Sequence, residues 1–214
     1  MAAEYNKTMN MQMQWGDPFE YHPQRGLYWN EIAPGLICGT QPRSGQDVQT
    51  LHGVGVTHIL NLQTDKDMQH WGVDVRELER KCQELRVTFS RRSARDFDPH
   101  SLRKTLPSAV AVVQQALSAK GRIYVHCTAG LGRAPAVCIA YMYWFLGLDL
   151  DVAYKTLTDI RPCGPKRDAI RGATFDLMSG LPADNFERLD REAWATLVEE
   201  DRYALQWRVL RAHM

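Results

Sequence analysis

His126-Cys127-Thr128-Ala129-Gly130-Leu131-Gly132-Arg133 places a nucleophile and a guanidinium at the two ends of a glycine-containing loop. An apolar β-type run, Ile123-Tyr124-Val125, leads in, and a helix-forming run, Ala134 to Phe145, leads out. A strand–loop–helix of this kind turns several backbone N–H groups toward one point at a helix N-terminus, where a phosphate-like anion fits. Arg133 closes the site as a bidentate donor to two non-bridging oxygens. The same positive field favours Cys127 as a thiolate nucleophile near neutral pH. The phosphate-binding loop read this way is Thr128, Ala129, Gly130, Leu131, Gly132 and Arg133. A Cys and an Arg at this spacing recur by chance. The strand, the histidine and the Gly-x-Gly make the pattern specific.

A thiolate that attacks phosphorus needs an acid to protonate the leaving alkoxide and then a base to activate water. Two carboxylates qualify, Asp96 and Asp98 in Arg95-Asp96-Phe97-Asp98-Pro99. Spacing alone does not choose between them. Asp98-Pro99 reads as a helix cap, which favours Asp98 as structural and leaves Asp96 as the acid. No His/Asp/Glu set has metal-site spacing, so neither metal nor cofactor is expected.

The elements that must hold this loop form an α/β pattern. Ile32 to Cys38 reads as a short hairpin, and Ser44 caps a helix ending near Gly53. Val56 to Leu62 is a buried strand; Asp74 starts a helix bearing Val75, Leu78, Cys82 and Leu85, and a strand follows around Val87 and Phe89. Arg91–Pro99 reads as a polar loop and Pro107 to Lys120 as a helix, stopped by Gly121 before the strand that delivers Cys127. Two helices follow, about Asp151–Ile160 and Pro165–Met178. Residues 1–25 read as an arm, 26–180 as the catalytic domain, and 181–214 as a helical extension packed on it. Within that extension a helix is expected over Arg191–Arg211, with Trp194, Leu197, Val198, Leu205 and Val209 on one side. Strands alternating with helices predict a mostly parallel central sheet whose ligand site lies at the strands' carboxyl ends.

The 214 residues suffice for a full α/β core, and a formal net charge of +1 gives no reason to expect nucleic acid or an anionic membrane as partner. Five cysteines, odd in number and without metal spacing, fit a reducing compartment. The longest apolar run, Ala134 to Leu148, is too short to span a bilayer and reads as a buried central helix.

The chain resembles the cysteine-dependent dual-specificity phosphatases, and within them the glucan phosphatases that include laforin and the plant starch-excess enzymes. The resemblance rests on Cys127 to Arg133 followed by Ala134-Pro135, on Asp96-Phe97-Asp98, on Tyr141-Met142-Tyr143-Trp144-Phe145, on Arg161-Pro162-Cys163-Gly164-Pro165 and on Ala169-Ile170-Arg171-Gly172-Ala173-Thr174. It implies the dual-specificity phosphatase fold, Asp96 as the acid, and a phosphoglucan substrate: phosphorylated starch or amylopectin and maltooligosaccharides. It also implies glucan contacts from Trp29, His70, Trp71 and Phe97, and from Arg92, Trp194 and Asp201 at secondary positions. Trp29 and His70 stand where relatives often carry Tyr. After Ala173-Thr174 a short helical extension is expected in place of the binding module of other starch-excess enzymes, as in stand-alone plastid members. The expected protein is a monomer acting in a plastid, with the cytoplasm as the alternative. Some relatives are shut off by a disulfide to the nucleophile; here Asn61 stands at the partner position, so that switch is expected to be missing.

A protein phosphatase is the competing reading. Protein phosphatases usually carry Ser or Thr after the loop arginine, where this chain has Ala134. A phosphoinositide substrate is disfavoured because residues 128–132 contain no Lys or Arg. A non-catalytic glucan-binding scaffold would have lost Cys127, Asp96 or Arg133.

Overall fold

The computed structural model of the protein describes residues 21–180 and 194–211. Most of the expected arm and the first part of the expected extension lie outside these. Among the described residues five strands form one sheet: β1 (Trp29–Ala33), β2 (Leu36–Gly39), β3 (His58–Asn61), β4 (Thr88–Arg91) and β5 (Ile123–His126), in the order β1-β2-β5-β3-β4. β1 and β2 form the antiparallel hairpin expected from Pro34-Gly35, and every other pairing is parallel.

Side chains alternate with period two, and the central strands β2, β5 and β3 are buried on both faces while the edge strands β1 and β4 stay partly exposed. Leu36, Cys38, Leu60, Ile123 and Val125 face the larger core cluster, while Ile37, Ile59 and Tyr124 face a second. The second is covered by α1 (Gly45–Gly53), α2 (Asp65–Trp71) and α3 (Val75–Glu84) through Val48, Leu51, Met68, Leu78 and Cys82. The larger one is built from α4 (Pro99–Ser118), α5 (Arg133–Phe145), α6 (Leu150–Ile160), α7 (Arg167–Ser179) and α8 (Glu199–Arg211). α5 is the central helix expected from its composition: Ala134 through Trp144 are all buried.

Three elements differ from the sequence reading. The helix before β5 starts at Pro99, not Pro107, with Asp98 as its N-cap accepting from Ser101 N at 2.8 Å. An internal proline costs about 3 kcal/mol, but Leu102, Leu106, Val110 and Val113 form one buried stripe across it. At ~1.5–3 kcal/mol for each such side chain, burial outweighs the break. The second difference is α2, for which no element was expected. It begins in a reciprocal capping box between Thr64 and Asp67 and ends on Gly72 in the left-handed region. The third is the C-terminal helix, which starts at Glu199: Trp194 has φ 58 in a turn, and Val198 is exposed and not on the buried side. Residues 191–193 of the expected helix lie outside the described residues.

Candidate active site

β5 ends at His126, between Gly39 of β2 and Asn61 of β3, and the loop 127–132 leaves from this carboxyl edge. The carbonyls of residues 127–131 all accept hydrogen bonds from neighbouring protein groups. Cys127 O accepts from His126 Nδ1 at 3.1 Å, Thr128 O from Gln41 N at 2.9 Å, and Leu131 O from Gly164 N at 2.9 Å. Arg161, fully buried, donates from Nη2 to Ala129 O at 3.1 Å and from Nε to Gly130 O at 2.8 Å. In a planar trans peptide the N–H of the next residue points opposite to the carbonyl. The amides of residues 128–132 thus point opposite to these bonded carbonyls, an arrangement in which they could cradle an anion. Gly130 is required for this, with φ 67 and a path on which a Cβ would lie 2.5 Å from Gly39 O.

Arg133 is split between two tasks. Its Nη1 is committed to Asp67 Oδ2 at 2.6 Å and to Ala94 O at 2.9 Å. Its Nη2 lies 3.0 Å from Asp96 and 3.3 Å from Thr128 Oγ1, and its buried Nε has no partner among the described residues. The Nε–Nη2 edge is the fork that two oxygens of a phosphoryl group fit. Burial pulls the Arg133 pKa down, but Cys127, Asp67 and Asp96 together raise it above its ordinary value.

His126 is pulled down to about 4 by burial, so it is neutral at pH 7. Because a carbonyl only accepts, its contact with Cys127 O places the proton on Nδ1. Burial would raise the Asp67 carboxyl, but hydrogen bonds from Arg133 and from the Thr64 backbone hold it below the ordinary value.

The cleft above the loop has a volume of about 510 Å³. Cys127, Thr128, Ala129, Leu131, Gly132, Arg133, Asp96, Trp71 and Phe97 all line it. Asp96 and Asp98 part ways. Asp98 caps α4 and pairs with Arg95 at 2.7 Å, whereas Asp96 reaches the arginine fork. Phe97 has φ 56 and is 93% exposed at the cleft wall. His70 lies edge-on to Trp71, at 5.0 Å between ring centroids.

Other expected glucan contacts lie elsewhere. Trp29 is on β1, packed against the second core cluster, and does not line the cleft. Arg92 follows β4, its N–H bonded to Asn61 O at 2.9 Å. Trp194 packs on the larger core with its carbonyl bonded to Tyr143 OH, and Asp201 sits on α8, which rests on α4, α5 and α7.

Several residues of the site escaped the sequence reading. Tyr21 lines the cleft, meets Trp71 edge-on at 5.0 Å, and receives a bond from Gln41 Nε2 at 3.0 Å. Gln63 Nε2 links Gln41 Oε1 at 2.6 Å with Thr128 Oγ1 at 3.1 Å. Asp67 and Lys166 also line the cleft. Only Asp67 had a local signal, the capping pattern Thr64-x-x-Asp67.

The model of the dual specificity phosphatase catalytic domain matches residues 36–171. Phosphoglucan phosphatase DSP4, amyloplastic, of Castanea sativa is 40% identical over 81% of this chain and 47% of its own length. Phosphoglucan phosphatase LSF1, chloroplastic, of Arabidopsis thaliana is 33% identical over 74% of this chain and 27% of its own. The chain thus spans less than half the length of either relative. Among solved structures, PTPMT1 superposes with a TM-score of 0.59 at 14% identity, over 86% of this chain and 99% of that one, a likeness of fold.

Proposed function

We infer that this chain, which belongs to the dual specificity phosphatase catalytic-domain family, is a phosphoglucan phosphatase: it hydrolyses phosphate monoesters on the glucose units of starch-like glucans. The observation that carries the substrate class is Phe97. A non-glycine residue at φ 56 is strained by about 1–3 kcal/mol, and a 93%-exposed ring gains nothing from burial, so folding alone gives no reason for this aromatic. Beside Asp96, and with Trp71 on the same cleft, it offers a flat apolar face for a sugar ring. The two phosphoglucan phosphatases similar to this chain support the same class, and their plastid designations support a plastid setting.

The reaction uses groups already in place. The phosphoryl oxygens take the loop amides and the Nε–Nη2 edge of Arg133, displacing Asp96 from that edge toward the leaving oxygen. Cys127 Sγ attacks phosphorus; Asp96, which takes up a proton from solvent once it is displaced from Arg133, gives that proton to the departing alkoxide as the P–O bond to glucose breaks. Asp96, now a carboxylate, takes a proton from water. The water oxygen attacks phosphorus, the P–S bond breaks, and inorganic phosphate and the Cys127 thiolate are released. No hydroxyl follows Arg133 to stabilise that departing thiolate, since Ala134 stands there, fully buried.

Tyr21 against Trp71 extends the aromatic wall. His70 is read as a rim contact, and Arg92, Trp29, Trp194 and Asp201 as secondary glucan contacts outside the cleft. Comparing phosphate release from phosphorylated amylopectin with release from phosphotyrosine and phosphoserine peptides tests the reading. Preference for phosphoglucan is expected; efficient phosphopeptide turnover with none on glucan overturns it.

A further inference from the structure

We propose that Asp67 is a positioning residue for catalysis: it locks one edge of the Arg133 guanidinium so that the other faces phosphorus. Arg133 is almost fully buried, and a buried arginine with free torsions has several ways to satisfy five N–H donors. Asp67 removes that freedom. Its Oδ2 receives Arg133 Nη1 at 2.6 Å and, from the capping box of α2, Thr64 N at 2.8 Å and Thr64 Oγ1 at 3.0 Å. The carboxylate is therefore fixed by its own helix before it meets the arginine. Ala94 O, at 2.9 Å from the same Nη1, completes the anchor.

What remains is directional. Nε has no partner among the described residues, and Nη2 meets only Thr128 Oγ1 and the half-exposed Asp96. Two carboxylates thus hold one guanidinium in different ways. Asp67 is mostly buried, at 20% side-chain exposure, and sits on the far edge; Asp96, at 40%, sits on the edge the phosphoryl group must take. A buried ion pair adds little net stability over apolar packing, so orientation is the gain that explains this one. Trp71, four residues on, also lines the cleft, so one short helix sets both the arginine fork and an aromatic wall.

The proposal rests on phosphomonoester chemistry at the cleft and not on the identity of the alcohol. The test uses the full chain, a small aryl phosphate, and orthovanadate as oxyanion probe. Asp67→Asn keeps an acceptor for Thr64 N–H while removing the charge that orients Arg133. A misaligned fork lowers kcat/KM by on the order of 10²-fold, mainly in kcat, with vanadate inhibition weakened alongside. Thr64→Ala removes one of the two bonds that fix Asp67 but keeps Thr64 N–H and the carboxylate charge, so it lowers thermal stability and weakens vanadate inhibition less than Asp67→Asn does. Asp67→Glu restores the charge and recovers oxyanion inhibition relative to Asp67→Asn.

Unchanged vanadate inhibition in Asp67→Asn overturns the proposal, and so does a loss in Thr64→Ala equal to that in Asp67→Asn. Should Asp67→Asn fail to fold, Asp67→Glu and Thr64→Ala decide: vanadate inhibition weakened only in Thr64→Ala overturns it. Parent protein that cleaves aryl phosphate but not phosphoglucan refutes the substrate reading and leaves this one standing.

Discussion

Arg161 holds Gly130 by its carbonyl at 2.8 Å, from a helix end thirty-one positions away, and so orients the loop that follows Cys127. The same guanidinium takes Ala129 O and Asn30 Oδ1 and lies over the Tyr28 ring. Arg161→Lys supplies a point charge where a planar fork spans several acceptors. With buried acceptors left unpaired at ~1–3 kcal/mol each, stability is expected to fall by about 2–4 kcal/mol. Urea unfolding measures that loss, and vanadate inhibition should weaken with it. Gly130→Ala, which would drive a Cβ to 2.5 Å from Gly39 O, should lose turnover altogether.

Cys127 lies 3% exposed at the base of the cleft, where no second cysteine stands among the described lining residues. Cys127→Ser should abolish phosphate release while glucan binding, measured by co-sedimentation, stays near the parent level. Residual turnover above background would refute the cysteinyl-phosphate route.

The two carboxylates of Asp96-Phe97-Asp98 should separate cleanly. Asp96→Ala is expected to lower phosphoglucan turnover by roughly 10²–10⁴-fold, the usual contribution of a positioned acid. The loss should shrink with an aryl phosphate whose phenol leaves without help. Asp98→Ala removes the α4 cap and the Arg95 ion pair, so it should lower the melting temperature more than the rate. The opposite pattern would assign the acid to Asp98.

Phe97→Ala should cut phosphate release from glucan sharply and spare a small aryl phosphate, which needs no sugar platform. Trp71→Ala should act in the same direction with some loss of stability, because Tyr21 and the second core cluster rest on that ring. Equal losses on both substrates in Phe97→Ala would mean a damaged Asp96 loop instead.

Acid should destabilise the fold through His126. Its folded value of about 4 lies below the ordinary 6.5, so between these the unfolded chain binds the extra proton and stability rises with pH. The contribution is complete above about pH 6.5 and lost toward pH 4, roughly 3 kcal/mol over the window at 1.36 kcal/mol per unit. Denaturant unfolding at a series of pH values reads it, and His126→Asn should flatten that slope.

Much of this protein was legible along the chain because the determining interactions are local. The cap at Ser44, the stop before β5 and the strand–loop–helix around Cys127 each depend on residues within a few positions of one another, and so does Asp98 as a cap. α2 carried an equally local signal in Thr64 and Asp67, but its seven residues are too few for an apolar period to show. Pro107 misled because a local penalty was outweighed by burial that only the packed core supplies. The loop after Cys127 is held by Arg161, and the Arg133 guanidinium is bonded to an aspartate sixty-six positions away. Trp29, Trp71 and Phe97 are alike as aromatics in the sequence; Trp71 and Phe97 line the cleft, whereas Trp29 packs on the second core cluster without lining it. Residue type fixes which chemistry a side chain can perform, but which atoms meet it is decided by contacts between distant segments. Those contacts exist only once the sheet has closed its two cores.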